Sequence, residues 1–218
     1  MERLDVLYAN RFSAKERRAR ERMWRVLCRH FFQRYVREGD TTLDLGCGFG
    51  EFSRHIRAGR KIAVDINPGV AEFLPADVEF HPGEAKRLDF IASGTIDVCF
   101  TSNFFEHLPS KQELDAVLVE VTRVLRRGGL LVALQPNIRY APGAYWDFYD
   151  HQLPLSHRSC AEAFRKAGLQ VVELRGRFLP FSTRSALPKH PMLVRLYLLL
   201  RPAWWVFGRQ FLIVGRKP

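Results

Sequence analysis

The sequence predicts a doubly wound α/β fold on a mainly parallel seven-stranded sheet, with a helix ahead of it and a helical cap near the C-terminus. Three observations carry this expectation. Short β-favouring runs alternate with helix-period segments along most of the chain, a glycine-rich turn joins the first run to a helix, and an acidic residue closes the second run. Such alternation implies parallel strands joined by right-handed crossovers, with helices on both faces. A chain of 218 residues suits one domain of this kind. We expect residues 1–218 to form a single unit: 1–40 a helical extension, 41–135 a cofactor-binding core, and 136–155 and 178–208 substrate-side insertions.

Taking the elements in order, Met23, Trp24, Val26, Leu27, Phe31 and Phe32 recur at helical spacing among arginines, predicting a helix from Ala14 to Val36 that ends at Gly39-Asp40. Thr42–Leu45 reads as a buried strand running into Gly46-Cys47-Gly48-Phe49-Gly50, with a helix over Glu51–Arg57. Lys61–Ile66, Val78–His81 and Ile96–Ser102 give three further strands. A helix over Gln112–Leu125 is expected to close at Arg126-Arg127-Gly128-Gly129, before a fifth strand at Leu130–Leu134. Ser156 is placed to cap a helix ending at Gly168, and Gln170–Leu174 and Phe211–Val214 complete the sheet. Pro136–Leu155 and Phe178–Gly208 interrupt the alternation.

The composition, 47% hydrophobic and 26% charged, argues against disorder through most of the length. Cys28, Cys47, Cys99 and Cys160 are scattered without C-x-x-C pairs, so neither a zinc site nor a disulfide framework is expected, and no metal is predicted. Met1–Arg20 lacks the apolar run of an export signal, which points to a cytoplasmic protein. The formal charge of +11 gathers at the two ends: no acidic residue follows Glu173, and Arg17, Arg18, Arg20, Arg22, Arg25 and Arg29 crowd the leading helix. That distribution suits an anionic membrane surface, a nucleic acid or a phosphorylated substrate.

Ligands of open α/β sheets bind beyond the carboxyl ends of the strands. Gly46, Gly48 and Gly50 lie there, and glycine lets the backbone approach a ligand where a Cβ would collide. Asp65 follows Gly46 by 19 positions (65 − 46), a spacing that brings a carboxylate after the second strand to ribose hydroxyls. Together they describe a nucleoside pocket.

The run Leu43-Asp44-Leu45-Gly46-Cys47-Gly48-Phe49-Gly50 resembles the first motif of class I S-adenosylmethionine-dependent methyltransferases, of the type 11 group. The resemblance spans about Thr42 to Leu134, with Val64-Asp65-Ile66 as the second motif and Asp97–Leu108 as the fourth strand and its loop. It implies a Rossmann-like methyltransferase fold with S-adenosyl-L-methionine as cofactor. Asp44 would be cofactor-binding, Gly46 and Gly48 would hold the amino acid part, Asp65 the ribose, Gly83-Glu84-Ala85 the adenine edge, and Asn103 the methionine moiety. Many relatives carry Asp where Glu84 stands. Phe104 and Phe105 would wall the sulfonium, and His107, in the group's Glu-His-Leu run, would serve either as pocket architecture or as a proton acceptor.

Tyr145-Trp146-Asp147-Phe148-Tyr149-Asp150-His151 leaves the ligand side of the sheet. His151, oriented by Asp150 or Asp147, is the first choice of general base; a metal site on Asp147, Asp150 and His151 lacks ligand spacing. The runs Gln135–Tyr140, Tyr145–His151, Arg177–Pro180 and Phe207–Val214 resemble a bacterial subgroup found with surface-polysaccharide synthesis genes, which adds a lipid-linked sugar to the acceptors considered. Met192–Phe207 is apolar, but Arg195, Arg201 and Pro202 interrupt it too soon for a membrane span. It reads as an interfacial helix on an anionic membrane or as a lid over the pocket.

The expected function is methyl transfer to a small-molecule or lipid-linked acceptor, at oxygen, by a cytoplasmic protein peripheral to the inner membrane face. Two alternatives stand beside it. One is an RNA methyltransferase using the basic termini, less favoured because no RNA-binding module is recognisable. The other is a non-catalytic cofactor-binding partner that docks on another protein. The oligomeric state is not fixed by the sequence.

Overall fold

A computed structural model describes residues 14–181 and 190–218. Residues 1–13 of the N-terminal extension and 182–189 of the second insertion, including the basic Arg184 and Lys189, lie outside the described residues. The chain runs α1 (Ala14–His30), β1 (Thr41–Leu45), α2 (Glu51–His55), β2 (Arg60–Asp65), β3 (Val78–Pro82), β4 (Ile96–Ser102), α3 (Lys111–Val124) and β5 (Leu125–Pro136). It continues through α4 (Pro142–Tyr145), α5 (His157–Lys166), β6 (Gln170–Arg175), α6 (Pro191–Leu199), α7 (Arg201–Phe207) and β7 (Gln210–Arg216).

The seven strands form one sheet in the order β3-β2-β1-β4-β5-β7-β6, parallel except that β7 runs antiparallel to β5 and β6. Chain order reverses direction between β1 and β4, which opens the ligand crevice at their carboxyl ends. Period-two alternation builds a core on each face. Leu43, Leu45, Leu131 and Ala133 pack with α3 and α5 on one side, whereas Val98, Phe100, Val132 and Leu134 pack with α1, α6 and α7 on the other. Asp44, out of phase with Leu43 and Leu45, projects to the α1 side.

Two element expectations are corrected. The leading helix stops at His30 rather than Val36. Phe31 leaves the helical region (φ −135°, ψ −58°) and a 3-10 turn follows over Phe32–Tyr35. That break buries two consecutive aromatic rings, Phe31 against Phe178 at 4.3 Å between centroids and Phe32 against Phe100 at 5.0 Å. Likewise, Arg126–Gly129 does not close α3, which ends at Val124, but lies within β5. The register jumps there from Ile96↔Leu125 to Val98↔Leu130. Gly128, at φ +76°, donates its N–H to the Lys217 carbonyl, so this run is a bulge tied to the end of β7.

Ser156 caps α5 as expected, its hydroxyl accepting from Ser159 N in a reciprocal capping box. All four cysteines are buried and free. The apolar stretch from Met192 is two helices rather than one, because the chain turns at Leu200 ahead of Pro202. Among the described residues no helix is long and apolar enough to cross a membrane.

Candidate active site

The glycine turn after β1 is wound in the left-handed region, with φ of +66°, +51° and +69° at Gly46, Gly48 and Gly50. At Gly46 a Cβ would come within 2.7 Å of the Phe104 ring, whereas at Gly48 it would meet open space. The turn is pinned from β2. Gly46 N and Cys47 N donate to the Val64 carbonyl, and Gly48 N donates to Asp65 Oδ2 at 2.9 Å. Asp65 Oδ1 also accepts from Asn67 N, which fixes the carboxylate at the strand end. The Asp65 carbonyl in turn accepts from Gly83 N, bringing the end of β3 alongside.

A cavity of about 500 Å³ starts at this turn. It is lined by Asp44, Gly46, Gly48 and Asn103 at the turn, by Glu106, His107 and His151, by apolar side chains of α1, α6 and the Leu179–Phe181 run, and by the charged Glu16, Arg20 and Glu51. Asp65, Glu84 and Ala85 are not among its lining residues. They flank it on the β2–β3 side, Glu84 exposed and paired with Lys86 and Arg87, and Ala85 packed on the core.

Asp44 Oδ2 accepts from Ser53 Oγ at 2.7 Å and from Ser53 N at 3.2 Å. Burial nevertheless pushes its carboxyl up to about 7. Asn103 is the one described non-glycine residue with positive φ, at +50°. Its amide is locked: Nδ2 donates to Ser102 Oγ, and Oδ1 accepts from Gln210 Nε2 at 2.5 Å. Gln135 Oε1 accepts from Phe104 N and Phe105 N, so one buried amide holds two successive peptides of the turn. Gln135 and Gln210 fall within runs that the sequence picked out, Gln135–Tyr140 and Phe207–Val214, but neither was given a role there, because a glutamine at a strand end carries no motif.

Phe104 and Phe105 do not wall the cavity. Phe105 is buried in the core and Phe104 fills the space behind Gly46. The aromatic lining comes instead from Trp24, Phe49, Phe52, Phe100, Phe148, Phe181 and Tyr197.

The pairing expected of Asp150 and His151 is also corrected. Asp150 Oδ2 lies 3.2 Å from His107 Nδ1, and the Asp150 carbonyl is equally close. His151 instead packs among rings, stacked on Phe148 at 4.8 Å with Tyr145 and His107 at its edges. The cause lies in the backbone: Gln152 N and Leu153 N both donate to the Glu106 carbonyl, and Tyr145 OH donates to the Leu153 carbonyl. This laces the 145–153 loop over the Glu106–His107 turn. Glu106, His107 and His151 then lie with one polar atom each within 4.8 Å of one another. These donor types recur in divalent-cation sites, a set different from the Asp147, Asp150 and His151 weighed above.

Burial opposes a charge on His107, but the Asp150 carboxylate and the nearby Glu106 outweigh it and raise the imidazole above its ordinary value. A folded-state value above the unfolded one contributes stability that is complete below the ordinary imidazole value and is lost as pH rises through the raised one. Asp150→Asn should remove that contribution. Melting temperatures measured from about pH 5.5 to about 9 should show the wild type ahead at the acid end and the two converging at the alkaline end. A constant offset across the range would assign Asp150 a packing role.

A parallel sheet with an antiparallel seventh strand, a glycine turn after β1 and an acidic residue closing β2 define the fold class of S-adenosylmethionine-dependent methyltransferases. Within the chain, residues 43–133 match the methyltransferase domain family. Malonyl-[acyl-carrier protein] O-methyltransferase of Serratia marcescens is 33% identical over 151 residues, 63% of this chain and 57% of that protein. The chain thus spans little more than half the length of such curated relatives. Among solved structures, the methyltransferase in complex with the Haloferax volcanii Trm112 methyltransferase activator matches with a TM-score of 0.70 at 23% identity. That match covers 98% of this chain and 97% of the other. Geranyl diphosphate methyltransferase in complex with S-adenosylmethionine matches with a TM-score of 0.64 at 19% identity, over 96% of this chain and 92% of the other.

Proposed function

We propose that the protein transfers a methyl group from S-adenosylmethionine to a hydroxyl oxygen of an acceptor that is largely apolar, either a small molecule or a lipid-linked one, including a lipid-linked glycan. The observation that carries this reading is that one cavity is lined both by the glycine turn, His107 and His151 and by apolar side chains of α1 and α6. An acceptor with a hydrocarbon portion would lie against the apolar lining and present a polar end at the histidines.

The residues at the turn fit the cofactor. The open space at Gly48 admits a ligand against the backbone. Asp44 offers a buried carboxyl to a cationic group, and Asp65 keeps lone pairs beyond its two backbone bonds for ribose hydroxyls. Asn103 would face the methionine part, with Glu84 and Ala85 beside the adenine. When bound, the cofactor supplies an electrophilic methyl group on a sulfonium.

The chain's own contribution is then to hold acceptor and donor in line, to exclude water, and to take the hydroxyl proton. His151 is the proton acceptor in this reading. His107, whose imidazole Asp150 holds above the ordinary value, keeps its proton further into the neutral range and is the poorer acceptor there. Asp150 therefore positions His107 rather than His151.

The test is a labelled-methyl assay over lipid, RNA and soluble pools of a cell extract, run with and without EDTA. Label in the lipid or apolar soluble pool, undiminished by EDTA, is the expected result. Label in RNA would overturn the acceptor class, and loss in EDTA would reassign Glu106, His107 and His151 from proton transfer to metal binding.

A further inference from the structure

Two features that stand far apart in the sequence, the arginine-rich leading helix and the apolar pair at the C-terminal end, share one face of the folded chain. Helices α1 and α6 pack side by side. The cavity is lined from both of them, by Met23, Trp24 and Leu27 of α1 and by Leu193, Val194 and Leu196 of α6. Leu193, Leu196 and Leu200 are at the same time exposed, so the cavity reaches the surface among them.

Around that opening the surface is apolar. Met192, Leu199, Trp205 and Val206 each stand about 70% open to solvent, individually 68%, 72%, 73% and 69%. Scattered apolar residues on a surface need no explanation, but a contiguous patch at a cavity mouth marks a binding face. Its rim is basic. Arg195 and Arg201 are exposed on α6 and α7, which carry no acidic residue, and Arg29 is exposed at the end of α1, whereas Arg18, Arg22 and Arg25 lie on the face of α1 turned away from the cavity lining and Arg25 pairs with Glu21. Arg195 reaches across to α1: burial first, then the charges of Arg195 and Arg29, hold the His30 imidazole below its ordinary value.

We infer that this face docks on an anionic lipid bilayer, with Trp205, Val206 and Leu199 entering the interface, the arginines meeting lipid phosphates, and the cavity mouth opening toward the membrane. The inference rests on the methyl-transfer reading only for the identity of what enters the cavity, a lipid-borne acceptor. The docking itself stands on the surface. An apolar face flanked by Arg29, Arg195 and Arg201 matches the chemistry of an interfacial helix, where buried apolar area and attraction to anionic headgroups add. A free anion would be held by the arginines without the exposed tryptophan, and a neutral apolar partner without the arginines.

The experiment is sedimentation of the full chain with phosphatidylcholine vesicles and with vesicles containing roughly 30% phosphatidylglycerol, at low and high salt. Binding is expected to the anionic vesicles only, and to weaken as salt rises. In the double variant Arg29→Glu, Arg195→Glu the partition coefficient should fall by about tenfold or more, and Trp205→Asp should weaken binding while keeping its salt dependence. These three residues lie outside the cavity lining, so S-adenosylhomocysteine affinity should be unchanged and serves as the folding control. Equal binding to neutral and anionic vesicles, no binding to either, or variants that bind like the wild type would overturn the inference. Absence of vesicle binding would leave the face to a protein partner. Vesicle binding without S-adenosylhomocysteine binding would uphold the docking and remove the methyl-transfer reading.

Discussion

Gly46→Ala is expected to weaken cofactor binding severely. The left-handed φ of +66° disfavours any residue with a Cβ, at roughly 1–2 kcal/mol. The added methyl also meets Phe104 ring carbons at 2.7 and 2.8 Å, an overpacking cost of about 1–3 kcal/mol. The two effects act on the loop that lines the cavity at the turn, so together they should weaken S-adenosylhomocysteine binding by roughly two orders of magnitude. Calorimetric titration measures this directly. The double variant with Phe104→Ala should recover the steric part and leave the backbone part. An affinity within twofold of wild type in Gly46→Ala would place the ligand away from the turn.

The second large effect is expected at His151. If it takes the acceptor's proton, His151→Ala should lower kcat by about 10²–10⁴ while S-adenosylhomocysteine affinity stays within about threefold. The Asp150→Asn variant should cost less, because its carboxylate acts on His107. Equal losses of turnover and of cofactor affinity in His151→Ala would make the ring a structural part of the aromatic stack with Phe148 and Tyr145.

Local patterns disclosed what local physics determines. Strand alternation, the glycine turn, Asp65 at the end of β2 and the Ser156 cap each depend on residues within a few positions of one another, and they stand in the structure as read. What was not legible depends on tertiary contacts. The partner of Asp150 is decided by two backbone bonds from the 152–153 peptides to the Glu106 carbonyl, which no side-chain pattern announces. Gln135 and Gln210 matter because a turn after β4 passes over them. The end of α1 is set by burying Phe31 and Phe32 against rings more than 65 residues away. That the arginine-rich α1 and the apolar α6 both line one cavity likewise follows from their packing together, which periodicity does not reveal.

Titration of the chain with S-adenosylhomocysteine, by calorimetry near pH 7 in two buffers of different ionisation enthalpy, tests the central claim most directly. Burial holds the Asp44 carboxyl at about 7, and a cationic amino group placed against it would favour its ionised form. The expected result is single-site binding with net proton release, seen as a buffer-dependent enthalpy. Absence of any binding at saturating ligand would contradict the cofactor site and the methyl transfer built on it.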